Sequence, residues 1–242
     1  MSDTKHKAQA GADSTQTPVT SEIRRHSLRL GAFALGAAVL LALVYNGTAQ
    51  RIGQQQRDAE RAALAAVMPA LEHDNDLLQA AFTLDPADSR WQQAALLGLQ
   101  NTPRQAYRAT LNGQPSGVIL PAVAPDGYSG AIELLIGIRA DATISGVRVL
   151  NHAETPGLGD KIELRIAPWI LAFDQRSLDN TPTQLWAVKK DGGDFDQFVG
   201  ATITPRAVVG AVYDALRFFA VNRTQLLQGA QGAIPTAQPG IE

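Results

Sequence analysis

The chain has 242 residues, which is enough for one or two domains, and its 23 acidic residues nearly balance its 21 basic residues. This balance gives no electrostatic footprint for nucleic acid. The absence of cysteine excludes disulfides, thiolate zinc sites, iron–sulfur clusters and a cysteine nucleophile held by this chain. Any redox role would therefore need a cofactor without sulfur ligands.

Residues 1–26 are predicted to form a disordered cytoplasmic tail. The stretch up to Glu22 is polar and rich in Thr, Ser, Ala and Gln. It offers too little apolar surface to offset the conformational entropy that ordering it would remove.

Residues 27–49 are predicted to form a transmembrane helix. No charged side chain stands between Leu30 and Gln50, and a spanning helix needs roughly 20 predominantly apolar residues. A cleaved signal peptide is the alternative, because Gly47 and Ala49 form a plausible cleavage pattern. Against it, the basic region would follow an unusually long polar leader. Both interpretations place the rest of the chain outside the cytoplasmic membrane.

The flanking charges predict the orientation of this helix. Arg24, Arg25 and Arg29 precede it, whereas the basic residues after it are mixed with Asp58 and Glu60. The positive-inside rule therefore favours an internal N-terminus.

Residues 50–72 are predicted to continue the anchor as a helical stalk. They contain good helix formers with apolar residues at three- and four-residue spacing, and Pro69 lies near the end. The following turn carries His73, Asp74 and Asp76, which we interpret as a solvated loop rather than a metal site.

Residues 73–224 are predicted to form an α+β domain with a small antiparallel sheet and packing helices. Strand signals begin near Tyr107 and end at the turn dipeptide Asn112–Gly113, although Pro115 argues against a clean hairpin. Apolar residues at period two over 132–138 predict a strand with one buried face, and 143–150 should pair with it antiparallel.

The remaining elements are shorter, apart from the last helix. We expect a short helix over 160–166, a strand over 185–190 and a flexible tail over 225–242. A helix should open at Pro205, and its apolar stripe consists of Val208, Val209, Val212, Leu216 and Phe219.

The stretch DGGDFDQFVGATITPRAVV holds two threonines just before this last helix. Proline is favoured at the first helical position with a threonine cap before it, so Thr204 is expected to cap the helix at Pro205. Thr202 has no such explanation. It follows Gly200 and Ala201, whose small side chains would let a bulky group approach the backbone.

A helix N-terminus also favours phosphate, because its N–H groups are free and its dipole end is positive. Arg206 falls in the first turn, where a cation opposes the dipole unless an anion binds nearby. From these residues alone, a phosphate near Thr202 and an ordinary loop-to-helix junction both stay open.

The segment DQFVGATIT resembles the flavin-attachment motif of membrane redox complexes, whose last hydroxyl a flavin transferase esterifies with the phosphate of FMN. Asp196 and Thr202 match that motif, and Val199 stands where the motif has Ser or Thr. The resemblance implies covalent FMN on Thr202 and recognition of Asp196 by the transferase. The other residues expected to contact the cofactor here are Gly200, Ala201, Thr204 and Arg206.

The segment HAETPGLGDKIE, residues 152–163, resembles the second signature of the same FMN-binding domain, where a turn after a strand lines the flavin ring. The resemblance implies contacts from Glu154, Thr155 and Leu158. A Pro–Gly type II turn between strand and helix is the alternative, and it explains Pro156 and Gly157 alone.

From about Arg25 to Ala220 the chain is similar to the G subunit of the Rnf electron-transport complex. The resemblance implies a single-pass protein of the bacterial inner membrane with a periplasmic domain that relays electrons through FMN. Such a protein is a redox-carrier subunit of a ferredoxin:NAD oxidoreductase that translocates ions, not a complete enzyme. Its partners would be the other Rnf subunits, especially the D subunit, and a flavin transferase.

Two alternatives stay open. One is a component like the C subunit of the sodium-pumping NADH:quinone reductase, and the other is a non-redox, membrane-tethered binding or scaffold domain. The residues show no nucleophile-elbow pattern and no catalytic constellation. Asp191 and Asp194 precede Asp196 in an acidic turn, but the turn lacks the glycine and terminal glutamate of a calcium loop.

Overall fold

The computed structural model describes residues 19–228, and the chain divides into two units, Met1–Gln56 and Arg57–Glu242. Residues 1–18 and 229–242, which include most of both predicted tails, lie outside the described residues. The first helix, α1 (Val19–Val67), begins inside the predicted disordered tail. The helix therefore starts earlier than residue 27, where the predicted transmembrane helix began.

The first unit carries the apolar part of α1. Its segment Ile23–Tyr45 has 23 residues and a mean hydropathy of 2.0, and none of its side chains is buried. This segment is long and apolar enough to cross a membrane. It begins and ends slightly earlier than the predicted range 27–49.

The second unit begins with the end of α1, which stops at Val67, just before Pro69. Proline lacks a backbone N–H and disfavours helical geometry at the residue before it, so the helix cannot continue to residue 72 as predicted. Leu64, Val67 and Met68 are buried at this end.

The second unit is built on a five-stranded sheet in the order β1-β2-β3-β4-β5, with every neighbouring pair antiparallel. The strands are β1 (Ala81–Leu84), β2 (Arg104–Leu111), β3 (Gln114–Ala124), β4 (Ile132–Arg139) and β5 (Ile144–Asn151). The α+β fold and the pairing of β4 with β5 are confirmed. The sequence interpretation missed β1 and β3.

The hairpin between β2 and β3 turns at Asn112 and Gly113, whose φ angles are 54° and 73°. Two positive φ values suit the tight turn that antiparallel strands prefer. Pro115 lies inside this hairpin and pairs with Thr110, and the register shift beside this pair leaves Ser116 of β3 without a partner in β2. An irregularity of this kind is how a strand accommodates proline, so the turn was predicted correctly and the objection from Pro115 was too strong.

Both faces of the sheet are covered, in contrast to the single buried face that was predicted. One face packs against the second long helix, α2 (Ile203–Gln228), and the 3₁₀ helix Ala94–Leu97. The other face packs against the end of α1, where Leu64 contacts the cluster that includes Ile119 and Leu135. The expected apolar stripe of α2 is confirmed, since all five of its residues are buried.

The segment between β5 and α2 contains two corrections. The helix predicted over 160–166 is a single 3₁₀ turn, Asp160–Ile162, followed by a second 3₁₀ helix at Pro168–Phe173. The strand predicted over 185–190 is replaced by the 3₁₀ helices Thr183–Leu185 and Lys189–Asp191. Trp186 in this segment is buried and packs against the ring of Phe195, and Val188 forms only an isolated bridge with Phe195.

Helix α2 runs past residue 225, where the flexible tail was predicted to start. Leu226 is buried, and its carbonyl accepts a hydrogen bond of 2.8 Å from Nε of Arg108. Both interactions hold the last turn of α2 against the sheet.

Candidate functional site

A tight turn precedes α2, and we call it the Gly200 turn (198–201). The Ala201 N–H donates to the Phe198 carbonyl over 3.1 Å, and Gly200 adopts a φ of 80° at the third position. This positive φ is typical of a type II turn, which favours glycine there because it has no Cβ. Val199 occupies the tip and is 91% exposed.

Thr202 follows the Gly200 turn and occupies the N-cap position of α2. Its carbonyl accepts the first helical bond, from the Arg206 N–H over 3.3 Å, and α2 begins at Ile203. Its side chain is half-buried, and its hydroxyl has no hydrogen-bond partner among residues 19–228. The site therefore offers a Thr202 hydroxyl that makes no hydrogen bond within the described residues, at the N-terminus of α2.

Thr204 does not cap α2, so the prediction that the helix opens at Pro205 was wrong. The Thr204 side chain is fully buried, and its hydroxyl donates a hydrogen bond to Oε2 of Glu154. This long-range partner draws the hydroxyl inward, and the helix starts before it.

Glu154 links the two signature segments. It is 4% exposed, its Oε2 accepts from Thr204, and its Oε1 accepts the Ser129 N–H over 3.0 Å. The carboxylate thus joins the loop before β4, the segment after β5 and the first turn of α2. Its side chain faces the interior, so the structure does not expose it as the flavin contact that the resemblance implied.

Two glycines let the backbone close around this carboxylate. A Cβ on Gly159 would lie 2.7 Å from Oε2 of Glu154 and 3.0 Å from Oγ1 of Thr204. A Cβ on Gly127 would lie 2.9 Å from Oε1 of Glu154. The sequence interpretation missed the role of Gly127 and Ser129. The signal was their place between two strands in the turn 125–130, PDGYSG, which contains two glycines.

The turn after Glu154 has the geometry of the Pro–Gly alternative. The Leu158 N–H donates to the Thr155 carbonyl over 3.1 Å, and Gly157 has a φ of 79° at the third position. Thr155 is exposed and Leu158 is 44% exposed. Leu158 reaches the Gly200 turn, since its Cδ2 would lie 3.7 Å from a Cβ on Gly200. The structure therefore brings Leu158, one of these predicted contacts, to the Gly200 turn.

Arg206 pairs with Asp191 through two hydrogen bonds, of 2.6 Å from Nε and 2.9 Å from a terminal nitrogen. The hydrogen bonds from Arg206 lower the pKa of the Asp191 carboxyl. Thr202 and Arg206 are four residues apart, which places them on the same face of the helix start. In this structure, the anion that pairs with Arg206 in the first turn of α2 is thus the carboxylate of Asp191.

The acidic turn before the Gly200 turn is held by separate ion pairs. Asp194 pairs with Arg176 over 2.5 Å, and Asp196 pairs with Lys189 over 2.7 Å. The Asp196 side chain is largely exposed. Within the described part of the chain, no group of His, Asp or Glu is arranged to hold a metal ion.

A groove of about 410 Å³ runs beside the first turns of α2. Its walls include Ile203, Arg206, Ala207 and Gly210 on the helix and Val123 and Pro125 opposite. It is large enough to receive part of a bound small molecule.

Comparisons with known proteins support both signatures. A family model described as FMN-binding domain matches residues 127–217, and one described as RnfG N-terminal region matches residues 17–67. The matched range of the first model contains the Glu154 segment, the Gly200 turn and most of α2.

Curated relatives match over most of the chain, and each is named as the G subunit of an ion-translocating oxidoreductase complex. The protein from Pseudomonas aeruginosa strain PAO1 is 52% identical over 211 residues, which cover 86% of this chain and 94% of the relative. The protein from Vibrio cholerae O395 is 46% identical over 204 residues, covering 84% and 93%. The protein from Pseudoalteromonas atlantica is 45% identical over 208 residues, covering 86% and 93%.

These identities and coverages confirm the resemblance drawn from the sequence. The chain belongs to the family of G subunits of ion-translocating oxidoreductase (Rnf) complexes.

Proposed function

We propose that this chain is the electron-transfer subunit of a membrane-bound, ion-translocating oxidoreductase complex of the Rnf type, and that it relays electrons through FMN joined to Thr202. The observation that carries the proposal is the unengaged Thr202 hydroxyl at the N-terminus of α2. The Glu154 carboxylate holds that helix start against the second signature segment. The choice of FMN as the cofactor rests on the FMN-binding domain and on the family to which the chain belongs.

The residues at this position fit a phosphate ester. The backbone N–H groups of Ile203 and Thr204 have no acceptor within the helix, and the positive end of the helix dipole lies here. Gly200 leaves the approach to Thr202 free of a side chain. Arg206 lies one turn away and would offer its guanidinium to a phosphate in exchange for part of its pairing with Asp191.

Attachment is a phosphoryl transfer that needs a flavin transferase. The Oγ1 of Thr202 forms a bond to the phosphorus of an activated FMN donor, such as a flavin dinucleotide. The bond from that phosphorus to its nucleotide leaving group breaks, and the hydroxyl proton leaves with the nucleotide. The chain therefore gains the mass of FMN less one water. Asp196, exposed beside the Gly200 turn, would be a recognition residue for the transferase.

Once bound, FMN would supply the electron-carrying chemistry, and the protein would supply its position and electrostatic surroundings. Leu158, which lies beside the Gly200 turn, and the exposed Thr155 would contact the cofactor. Glu154 and Thr204 would act indirectly, because their side chains are buried and hold the two segments together. Electron transfer requires no general acid or base from this chain.

The apolar segment Ile23–Tyr45 would anchor the chain in the inner membrane with its N-terminus in the cytoplasm and the second unit in the periplasm. A single anchored domain cannot translocate ions, so the other subunits of the complex, particularly the D subunit, would be its partners. The reaction of the whole complex would be electron exchange between ferredoxin and NAD.

Intact-mass measurement of the full-length chain, produced together with a flavin transferase, tests the attachment. We expect the mass of FMN less one water on the wild type, located on Thr202 by peptide mapping. Thr202→Ala should carry no flavin, and Thr202→Ser should keep it. Thr204→Ser is the neighbouring control, because it keeps the buried hydroxyl that bonds to Glu154, and it should still carry flavin on Thr202. An unmodified wild type, with the transferase active on another substrate, would contradict the proposal and favour a non-redox tethered domain.

A further inference from the structure

Trp169 contacts the segment that leads into the Gly200 turn. Its indole Nε1–H donates to the Asp196 carbonyl over 2.7 Å. Its ring meets the ring of Phe198 edge-on, with centroids 5.2 Å apart and an interplanar angle of 70°. Phe198 is the first residue of the turn, and its carbonyl accepts the closing bond from Ala201. One side chain thus fixes both the residue that opens the turn and the segment directly before it.

Trp169 is itself anchored in the core of the second unit. It lies in the 3₁₀ helix Pro168–Phe173, and its ring packs edge-on against Phe173 at 5.5 Å. Phe173 is fully buried and stacks on Phe195 at 4.6 Å. Since both of these phenylalanine rings sit in the close-packed interior, the position of the indole is set by the core rather than by the loop that it holds.

The polar contacts of the Asp196 and Gln197 side chains lie at the surface. Asp196 pairs with Lys189 in an exposed ion pair, a type of contact that contributes little in water. The Gln197 side chain accepts the Lys190 N–H over 3.2 Å at the surface. Val199 and Gly200 are exposed beyond them. Phe198 is itself buried in the core, and Trp169 adds a second link, through its ring contact with Phe198 and its hydrogen bond to the Asp196 carbonyl.

We propose that Trp169 is a positioning residue for flavin attachment, which holds the Gly200 turn in the conformation that the transferase modifies. The inference rests on the proposed attachment of FMN to Thr202. If the turn leaves that conformation, the fraction of competent substrate falls, and the apparent KM of the transferase for this protein rises in inverse proportion. The value of kcat stays the same, because the protein that binds is in the same conformation.

The test compares Trp169→Phe with Trp186→Phe in the full-length chain. Both changes remove an indole N–H that donates to a backbone carbonyl and leave an aromatic ring, since Trp186 donates to the Thr181 carbonyl over 3.2 Å. A purified flavin transferase and flavin adenine dinucleotide are the probes, and flavin incorporation is followed over a range of protein concentrations. For Trp169→Phe we expect KM to rise by up to about fivefold at unchanged kcat, because the lost hydrogen bond shifts the equilibrium of the turn by about that factor and KM rises as the competent fraction falls. Trp186→Phe should behave like the wild type.

A second measurement does not depend on flavin. Hydrogen–deuterium exchange of the unmodified chains should show faster exchange in the peptide 196–203 for Trp169→Phe, where the Ala201 amide closes the turn. Unchanged exchange together with an unchanged KM would overturn the role of Trp169. A fall in kcat at constant KM would also overturn it. A wild type that takes no flavin from an active transferase would overturn the proposed function, and the role of Trp169 in attachment with it.

Discussion

The hydroxyl of Thr204 donates a hydrogen bond to the carboxylate of Glu154, and both side chains are buried. The two residues lie fifty positions apart in the chain. Their bond fixes the first turn of α2 against the segment after β5, so that Leu158 lies beside the Gly200 turn. The geometry around Thr202 therefore depends on a buried pair that need not touch a ligand.

Replacement of Thr204 by valine tests this relationship. Valine keeps the shape of the side chain but cannot donate, so one oxygen of a buried carboxylate loses its partner. We expect the free energy of unfolding to fall by about 1–3 kcal/mol. Urea denaturation followed by tryptophan fluorescence measures the change.

The serine variant provides the control for Thr204→Val. Thr204→Ser keeps the hydroxyl and should retain most of the stability that the valine variant loses. Equal destabilisation by serine and valine would contradict the argument, because it would assign the effect to packing of the methyl group instead.

Local patterns in the sequence predicted the elements whose contacts are local. Strand β4 alternates apolar residues, and α2 carries its stripe at helical spacing, so both were recognised. Strand β3 was missed because it is buried on both faces and contains Pro115 and Pro121, which removes the alternation and adds turn formers. Paired neighbours in β2 and β4 override those local signals.

The site was predicted in part for the same reason. Thr202 and the segment around Glu154 were proposed as site residues from short motifs, and the Pro–Gly turn follows from its own residues. The cap was assigned to Thr204 because only neighbours in sequence were considered. Its partner comes from another part of the chain, and no local pattern shows which buried oxygen a hydroxyl will find.

Gly200→Ala should disturb the turn that presents Thr202. Alanine at a φ of 80° is strained, and we expect a loss of about 1 kcal/mol in stability and slower flavin attachment. Gly210 in α2 is the matched control, because a Cβ there meets nothing within 4 Å. Gly210→Ala should stabilise the chain by up to about 1 kcal/mol. Thermal unfolding and intact mass report the two effects, and a Gly200→Ala variant as stable as wild type would contradict the turn assignment.

The charge of Glu163 should make stability depend on pH. Hydrogen bonds from Arg165 and then from His152 lower the pKa of this carboxyl, and the His152 contact is 2.7 Å. A lowered folded-state pKa contributes stability above the ordinary pKa of a glutamate and loses it as the pH falls through the folded value. Glu163→Gln should therefore lower the free energy of unfolding by less than about 1 kcal/mol at neutral pH, since the Glu163–His152 pair is partly exposed. The difference from wild type should vanish in acid, and a difference independent of pH would show that charge is not its cause.

The end of α1 lies so close to β4 that only glycine fits at position 137, and its contact with β5 at Gly146 is also tight. A Cβ on Gly137 would overlap the Val67 carbonyl, and one on Gly146 would lie 3.0 Å from the Val67 Cα. The same carbonyl accepts the hydroxyl of Ser145. We expect Gly137→Ala to lower the free energy of unfolding by about 1–3 kcal/mol, because the helix end must move away from the sheet.

Ser145→Ala separates the close approach from the hydrogen bond. It removes the hydroxyl that donates to the Val67 carbonyl and should lower the free energy of unfolding by about 1 kcal/mol, while the end of α1 stays in position. Urea denaturation measures both variants, and hydrogen exchange in the peptide 64–68 reports whether the helix end has moved. Faster exchange there in Gly137→Ala than in Ser145→Ala is expected. Equal exchange in the two variants would mean that the hydrogen bond, and not the absent Cβ, holds α1 against the sheet.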